Sequence, residues 1–281
     1  MKIELNKFYL SDNLEFLDTM PNNFIDLVYI DPPFFTQKDW GEFNDKWDSL
    51  QKYLDFMIKR IKEIYRTLKN TGSFYLQCDS NAGFDLKILC DNIFGRDNFR
   101  REIIWNVGSV SGFKTRAKNW IRQHDIILYY VKSREFIFNK QYLSYSKKYI
   151  LRFNRKDSNG KRYRMREKNI QYLDKMKGIP IGTVWNDIYS YQTRTNSKEY
   201  LGYPTQKPEK LLERIVSASS NEGDIVADFF CGSGTTCAVA EKLNRKWIGI
   251  DVNEDAINIA NKRLKELRTF TNIKNNTKSL F

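Results

Sequence analysis

The sequence is poor in cysteine, with Cys78, Cys90, Cys231 and Cys237 in 281 residues and no CxxC pair among them. That spacing excludes a paired-cysteine zinc site. Scattered thiols in a chain this long fit a reducing compartment better than a disulfide scaffold. No run approaches the ~18 apolar residues of a membrane span. Met1 to Leu10 lacks the apolar stretch of a signal peptide, so cytoplasm is the expected compartment and no membrane partner is expected. No internal repeat is present. Acidic residues are in deficit, 34 against 47 Lys and Arg, for a formal net charge of +13. This balance suits a polyanionic partner, because cations placed on phosphates release counterions. Taken alone it suits a merely soluble basic protein equally well.

What is present is a normal core, with 41% hydrophobic residues. The length allows one large domain, or one domain with an insertion. Apolar runs predict strands at Phe8 to Leu10, Phe24 to Ile30, Ser73 to Gln77, Ile126 to Val131, Ile225 to Ala227 and Trp247 to Ile250. Helices are predicted at Asp12 to Leu17, Leu86 to Ile93, Leu211 to Ser217, Thr235 to Leu243 and Glu254 to Leu267. The strongest helical stripe runs from Leu50 to Leu68, with Thr71-Gly72 as its stop. Phe34 to Trp47 reads as an aromatic loop long enough to act as a lid. Alternating strands and helices imply an α/β fold with a doubly wound, mostly parallel sheet. Ligands bind such sheets at the carboxyl ends of the strands.

Two motifs sit at such ends. Asp31-Pro32-Pro33-Phe34 follows the Phe24 to Ile30 strand. The two prolines fix φ and carry no N–H, so the corner is stiff and offers only acceptors. The exocyclic amine of a nucleobase is a poor nucleophile, its lone pair being delocalised into the ring. The Asp31 carboxylate and the Pro32 carbonyl, aimed at its two protons, would favour a pyramidal nitrogen. Phe34 offers a face for stacking the base. Alone, the motif reads as well as a strand-ending turn.

The second motif is Asp228 to Thr236, with Gly232-Ser233-Gly234 between a strand and a helix. Such a turn lets backbone approach a ligand closely. Asp251 ends the next strand, where an acidic residue can accept from ribose hydroxyls. The third glycine of a dinucleotide site is missing and Thr235-Thr236 stand there instead, which disfavours NAD; these threonines are otherwise ordinary candidates for capping the helix. Tyr203 to Pro208 enters a helix between two prolines. Its Lys207 could meet a ligand carboxylate, or simply be a solvated lysine on a rigid loop.

Between 147 and 168 the texture changes. Lys147, Lys148, Arg152, Arg155, Lys156, Lys161, Arg162, Arg164, Arg166 and Lys168 stand against Asp157 and Glu167. Tyr149, Phe153 and Tyr163 are interleaved and periodicity is weak. This is the candidate DNA-contact stretch, with a solvated basic face as its competitor.

The ordered set of Leu10 to Leu14, Asp26 to Phe34, Leu68 to Asp79, Tyr203 to Pro208, Asp228 to Thr236 and Ile248 to Asp251 resembles the β-class DNA amino-methyltransferases. In that family the catalytic motif comes first and the cofactor glycines last, a circularly permuted order on a class I methyltransferase-like fold. The resemblance implies S-adenosyl-L-methionine as cofactor and duplex DNA as partner, with the target base extruded from the helix. It implies that Asp31, Pro32, Pro33 and Phe34 form the catalytic corner. Asp228, Phe230, Gly232, Gly234, Thr235, Thr236 and Lys207 would surround the cofactor's methionine part, Asp251 its ribose and Asp12 its adenine. Residues 1–137 would be the catalytic half, 138–200 an inserted DNA-recognition region, 201–268 the cofactor half and 269–281 a polar tail. Aspartate at the head of the motif is usual for adenine N6 and serine for cytosine N4, so adenine is the expected target. Cytosine N4, a noncatalytic DNA-specificity subunit and an RNA amine methyltransferase are the competing readings. A homodimer and a cognate restriction endonuclease are both compatible with this picture. The chain departs from the common pattern at Phe229 (often proline), Gln77 (often histidine) and Phe34 (often tyrosine).

Overall fold

The computed structural model describes residues 3–38, 45–108, 116, 118–191 and 196–278, with side chains described as far as 269. The chain divides into two compact units, one of 1–139 with 183–281 and one of 140–182.

In the larger unit β1 (Lys7–Leu10), α1 (Asn13–Asp18) and β2 (Ile25–Ile30) come first. All six β2 residues are buried, as expected of a central parallel strand covered on both faces. Next comes α2 (Leu50–Thr67), opened by the Ser49 side chain, which accepts from the Lys52 N–H. Its apolar stripe buries Tyr53, Met57, Ile61 and Ile64.

Thr71-Gly72 does not stop this helix. α2 ends at Thr67, and the fully buried Leu68 begins β3 (Leu68–Cys78) by pairing with Ile25. The register then jumps, with Leu27 opposite Ser73, so residues 69–72 form a bulge. A Cβ on Gly72 would lie 2.8 Å from the Lys69 carbonyl oxygen. The glycine belongs to the bulge.

α3 (Gly83–Phe94), β4 (Phe99–Asn106) and β5 (His124–Val131) complete the first half. β4 goes unrecognised in the sequence because Arg100, Arg101 and Glu102 break its apolar pattern.

Within 140–182, β6 (Tyr142–Leu143) is followed by α4 (Lys147–Ile150). β7 (Arg155–Lys156), β8 (Arg162–Arg166) and β9 (Asn169–Tyr172) form a three-stranded antiparallel sheet. β10 (Ile179–Pro180) pairs back on β6. Phe153 is buried, and the Arg164 guanidinium lies 4.9 Å from the rings of both Tyr149 and Phe153.

Residues 183–191, expected in the recognition insertion, belong to the larger unit, where β11 (Val184–Trp185) pairs with β4. α5 (Glu209–Ser219), β12 (Ile225–Asp228), α6 (Thr235–Lys242), β13 (Lys246–Asp251) and α7 (Glu254–Lys278) follow. α7 runs on through the stretch expected as a loose tail from Thr269. No glycine or proline interrupts it, and polar residues need no buried face to continue a helix. Residues 279–281 lie outside the described set.

The main sheet has the order β1-β13-β12-β2-β3-β5-β4-β11. Only the β3–β5 and β4–β5 pairs are antiparallel. The fold is the doubly wound, mostly parallel α/β sheet that the sequence predicts. The carboxyl ends of β1, β13, β12, β2 and β3 share one edge of the sheet, and β5 starts there. Asp12, Asp251, Asp228, Asp31, Asp79 and Asp125 are therefore gathered along that edge.

Candidate active site

β2 is the rigid element that aims the Asp31 to Phe34 corner. The Asp31 side chain is 16% exposed, and the Lys207 ammonium pairs with its Oδ2 across 176 positions of sequence. Its Oδ1 is buried and has no hydrogen-bond partner among the described residues. Burial raises the Asp31 pKa, and the neighbouring Lys207 opposes that rise. The Tyr53 hydroxyl, from α2, donates to the Pro33 carbonyl at 2.8 Å and fixes the prolyl corner.

The start of the expected lid is pinned by one carboxylate. Asp45 accepts from the backbone N–H groups of Phe35 (3.0 Å) and Thr36 (2.7 Å), and from the Trp47 indole (3.2 Å). Phe35 and Gln37 stand at φ 59°, a left-handed conformation sustained by the Phe35 bond to the Asp45 carboxylate and by the Gln37 N–H, which donates to the Asp45 carbonyl at 3.1 Å. Residues 39–44, the middle of that loop, lie outside the described set.

At the other end of the site, β12 delivers Asp228, 3% exposed. Its carboxylate accepts from the Phe230 N–H (3.1 Å) and the Thr236 hydroxyl (2.5 Å). Burial nevertheless pushes its pKa up to about 7, and the nearby Asp31 and Asp251 charges add to the rise. Asp251 accepts from the Gly232 N–H (2.8 Å) and the Asn253 N–H (3.0 Å), which ties the glycine turn to the end of β13. Burial raises the Asp251 pKa as well, against these backbone bonds.

Two sequence readings are corrected here. Gly234, at φ 73°, does not line the cavity. A Cβ there would meet the Ala260 Cβ at 2.7 Å and Phe8 at 2.8 Å, so this glycine serves packing of α7 and β1 and not approach of a ligand. Thr235 does not cap α6. Its hydroxyl donates to the Lys207 carbonyl (3.2 Å) and accepts from Arg263 (2.8 Å), anchoring the proline-flanked loop. Among the expected DNA contacts, Arg162 and Arg164 are half-buried and hold their own unit together. Arg162 donates to the carbonyl of Phe153 (2.9 Å), and Arg164 donates to Gln171 (3.0 Å). The other eight cations of that set are exposed.

Asp12 caps α1 through the Leu14 N–H (2.7 Å) and pairs with Arg60 at 2.7 Å. Arg60 is buried, its guanidinium carbon 3.4 Å from the Phe56 ring centroid. Sequence reasoning missed this residue. The available signal was an arginine three residues after Met57 and four before Ile64, on the buried stripe. It also missed a buried chain beside the corner, in which the Tyr29 hydroxyl donates to Gln77 (2.5 Å) and Gln77 donates to Asp125 (2.8 Å). Arg122 lies between Asp79 and Asp125.

One cavity of about 790 Å³ in the larger unit unites these parts. Its walls include Asp31 to Phe34 and Lys207, and also Asp12, Asp228, Phe230, Gly232, Thr235, Thr236 and Asp251. The two motifs therefore face a shared space. On one side are buried carboxylates and an aromatic ring, acceptors and a face suited to a cationic nucleoside. On the other are a stiff acceptor corner and Trp105.

The family model described as DNA methylase (N6/N4 methyltransferase) matches residues 25–262. Type II methyltransferase M.HpaI of Haemophilus parainfluenzae is 34% identical over 90% of this chain and 72% of its own length. DNA adenine methyltransferase YhdJ of Escherichia coli K12 is 32% identical over 90% of this chain and 80% of its own. Among solved structures, M1.HpyAVI in complex with SAM superposes with a TM-score of 0.59 at 20% identity, covering 92% of this chain and 98% of that one. The cytosine-N4-specific PvuII DNA methyltransferase superposes at 0.62 with 18% identity, covering 92% and 85%. These two structures share its fold. With a matched region that runs from β2 into α7, the chain belongs to the DNA methylase family of N6/N4 amino-methyltransferases.

Proposed function

We propose that this protein transfers a methyl group from S-adenosyl-L-methionine to the N6 amine of adenine in duplex DNA. The observation that carries the reading is the unpartnered, buried Oδ1 of Asp31 in a cavity shared with Asp228 and Asp251. An acceptor in that state fits an incoming N–H donor.

The cofactor, when bound, supplies an electrophilic methyl on a sulfonium. Asp228, Asp251 and Asp12 suit its cationic and hydroxyl-bearing parts, and Phe230 offers an apolar wall. Asp31 and the Pro32 carbonyl accept from the two amine protons and keep the nitrogen lone pair free. Phe34 stacks the base. Transfer between two bound groups is mostly a matter of position and fixed dipoles, so a stiff prolyl corner suits it.

A paired base cannot reach an enclosed pocket, so the base leaves the stack first. The exposed Lys147, Lys148, Arg152, Arg155, Lys156, Lys161, Arg166 and Lys168 suit clamping of phosphates. Adenine is favoured over cytosine by aspartate at the head of the motif and by the likeness to a protein named as an adenine methyltransferase. The fold shared with a cytosine-N4 enzyme keeps that base as the second reading. Relatives named Type II methyltransferases accord with a place beside a restriction endonuclease. Among the described residues no helix is long and apolar enough to cross a membrane.

The test is digestion of methylated DNA to nucleosides and mass spectrometry. N6-methyladenine supports the reading, and N4-methylcytosine replaces it with the second.

A further inference from the structure

We propose that Lys207 is a positioning residue for the Asp31 carboxylate and not a ligand of the cofactor's carboxylate. This rests on the methyl-transfer reading above.

The ammonium of Lys207 pairs with Asp31 Oδ2 and donates to the Thr205 carbonyl at 3.0 Å. Its side chain is 14% exposed. The backbone beneath it is fixed. Pro204 and Pro208 flank the loop, and Thr235 donates to the Lys207 carbonyl. Arg263 donates to Thr235 and pairs with Glu209 at 3.0 Å. A lysine on so rigid a base presents its charge at one place.

That place decides which oxygen of Asp31 is free. Oδ2 is taken, and Oδ1 is left buried and bare for the target amine. The pairing also keeps the group an acceptor. A buried carboxylate without a counter-charge takes up a proton, and a protonated Asp31 could donate to the amine lone pair it must leave free. The groups around Asp31 are Lys207 and Asp125 at the start of β5, whose charges act on it, and Tyr29 on its own strand, Tyr53 on α2 and Asp228 at the end of β12, on which its charge acts. Four of them are phenols or acids, and only Lys207 is a cation. The cavity's other described cations are committed elsewhere, Arg60 to Asp12 and Arg122 to Asp79 and Asp125. If Lys207 left to meet the cofactor's carboxylate, no described cation of the protein would compensate the Asp31 charge.

The experiment compares the full-length protein with Lys207→Met and Lys207→Arg. The first readout is a carbon-13 titration of the Asp31 carboxyl without DNA, assigned with Asp31→Asn. Lys207→Met moves the midpoint to higher pH, and Lys207→Arg leaves it near wild type. The second is single-turnover transfer of labelled methyl to unmethylated genomic DNA across pH, beside calorimetry with S-adenosyl-L-methionine. Lys207→Met loses about tenfold or more near pH 6 and recovers at alkaline pH, with cofactor affinity changed by less than about threefold. An unmoved Asp31 midpoint overturns the proposal. So does a large loss of cofactor affinity with an unchanged pH profile. The label counts methyl on either base, so a cytosine product leaves this inference standing. A wild type that transfers nothing sinks the functional reading, and the titration still decides the role of Lys207.

Discussion

The Asn13 side-chain amide donates a 2.7 Å hydrogen bond to the backbone carbonyl of Phe229, 216 positions away. The same side chain accepts from Arg60 Nε at 2.5 Å. The first helix, the long helix α2 and the turn after β12 thus meet at one buried amide. Asn13→Leu leaves the Phe229 carbonyl and the Arg60 Nε–H without their partner in the interior. The expected loss is about 1–3 kcal/mol of folding stability, read by urea unfolding. Cofactor affinity falls with it, because Asp12 and Phe230 flank the broken contact.

Gly234→Ala is expected to destabilise the fold. The residue stands at φ 73°, and the added methyl meets Phe8 and Ala260, both held in packed elements. A left-handed alanine costs about 1 kcal/mol and the overpacking about 1–3 more. Thermal melting reads this directly. Gly160→Ala, at φ 74° with nothing within 4 Å of an added Cβ, isolates the backbone part.

Asp228 gives stability a pH dependence of defined sign. Its folded pKa of about 7 lies above the ordinary 3.8, so the folded state holds the proton more tightly. Its contribution is fully present below about pH 4, is lost as pH rises through about 7, and is flat above. The limiting slope is about 1.4 kcal/mol per pH unit. Burial raises the Asp31, Asp79 and Asp251 values in the same sense, so the comparison is wild type against Asp228→Asn. The variant is expected to lose less stability across that window in denaturant titrations.

The basic stretch separates into surface and scaffold. Replacing the exposed Arg155, Lys156, Arg166 and Lys168 with Gln is expected to flatten the salt dependence of DNA binding. The slope changes by about 0.9 for each phosphate contact removed, measured by fluorescence anisotropy. Arg164→Gln acts differently. It removes the bonds to Gln171 and the contact with Tyr149 and Phe153, so faster amide exchange across β8 and β9 is expected.

Much of this architecture is legible in the sequence, for identifiable reasons. β2, β12 and β13 are short buried apolar runs with chemistry at their ends, and α2 carries a long stripe. β4 is hidden because Arg100, Arg101 and Glu102 sit in its first half. β7 to β9 are hidden because their residues are polar and the pairing is local to a small sheet. The motif residues converge as parallel topology requires. Their partners are not readable. No local pattern joins Lys207 to Asp31, Arg60 to Asp12 or Tyr29 to Gln77, because each contact depends on the packing of separate elements. The same holds for Gly234, whose missing side chain answers to Phe8 and Ala260 from distant parts of the chain.

In the proposed function labour is divided inside one cavity, with Asp31 serving the target amine and Asp228 and Asp251 serving the cofactor. Asp31→Ala, assayed for transfer of labelled methyl to DNA and by calorimetry with S-adenosyl-L-methionine, tests it most directly. The predicted result is a loss of transfer of roughly 10²- to 10⁴-fold or more with cofactor affinity near wild type. Equal loss of both, or transfer that survives the substitution, contradicts it.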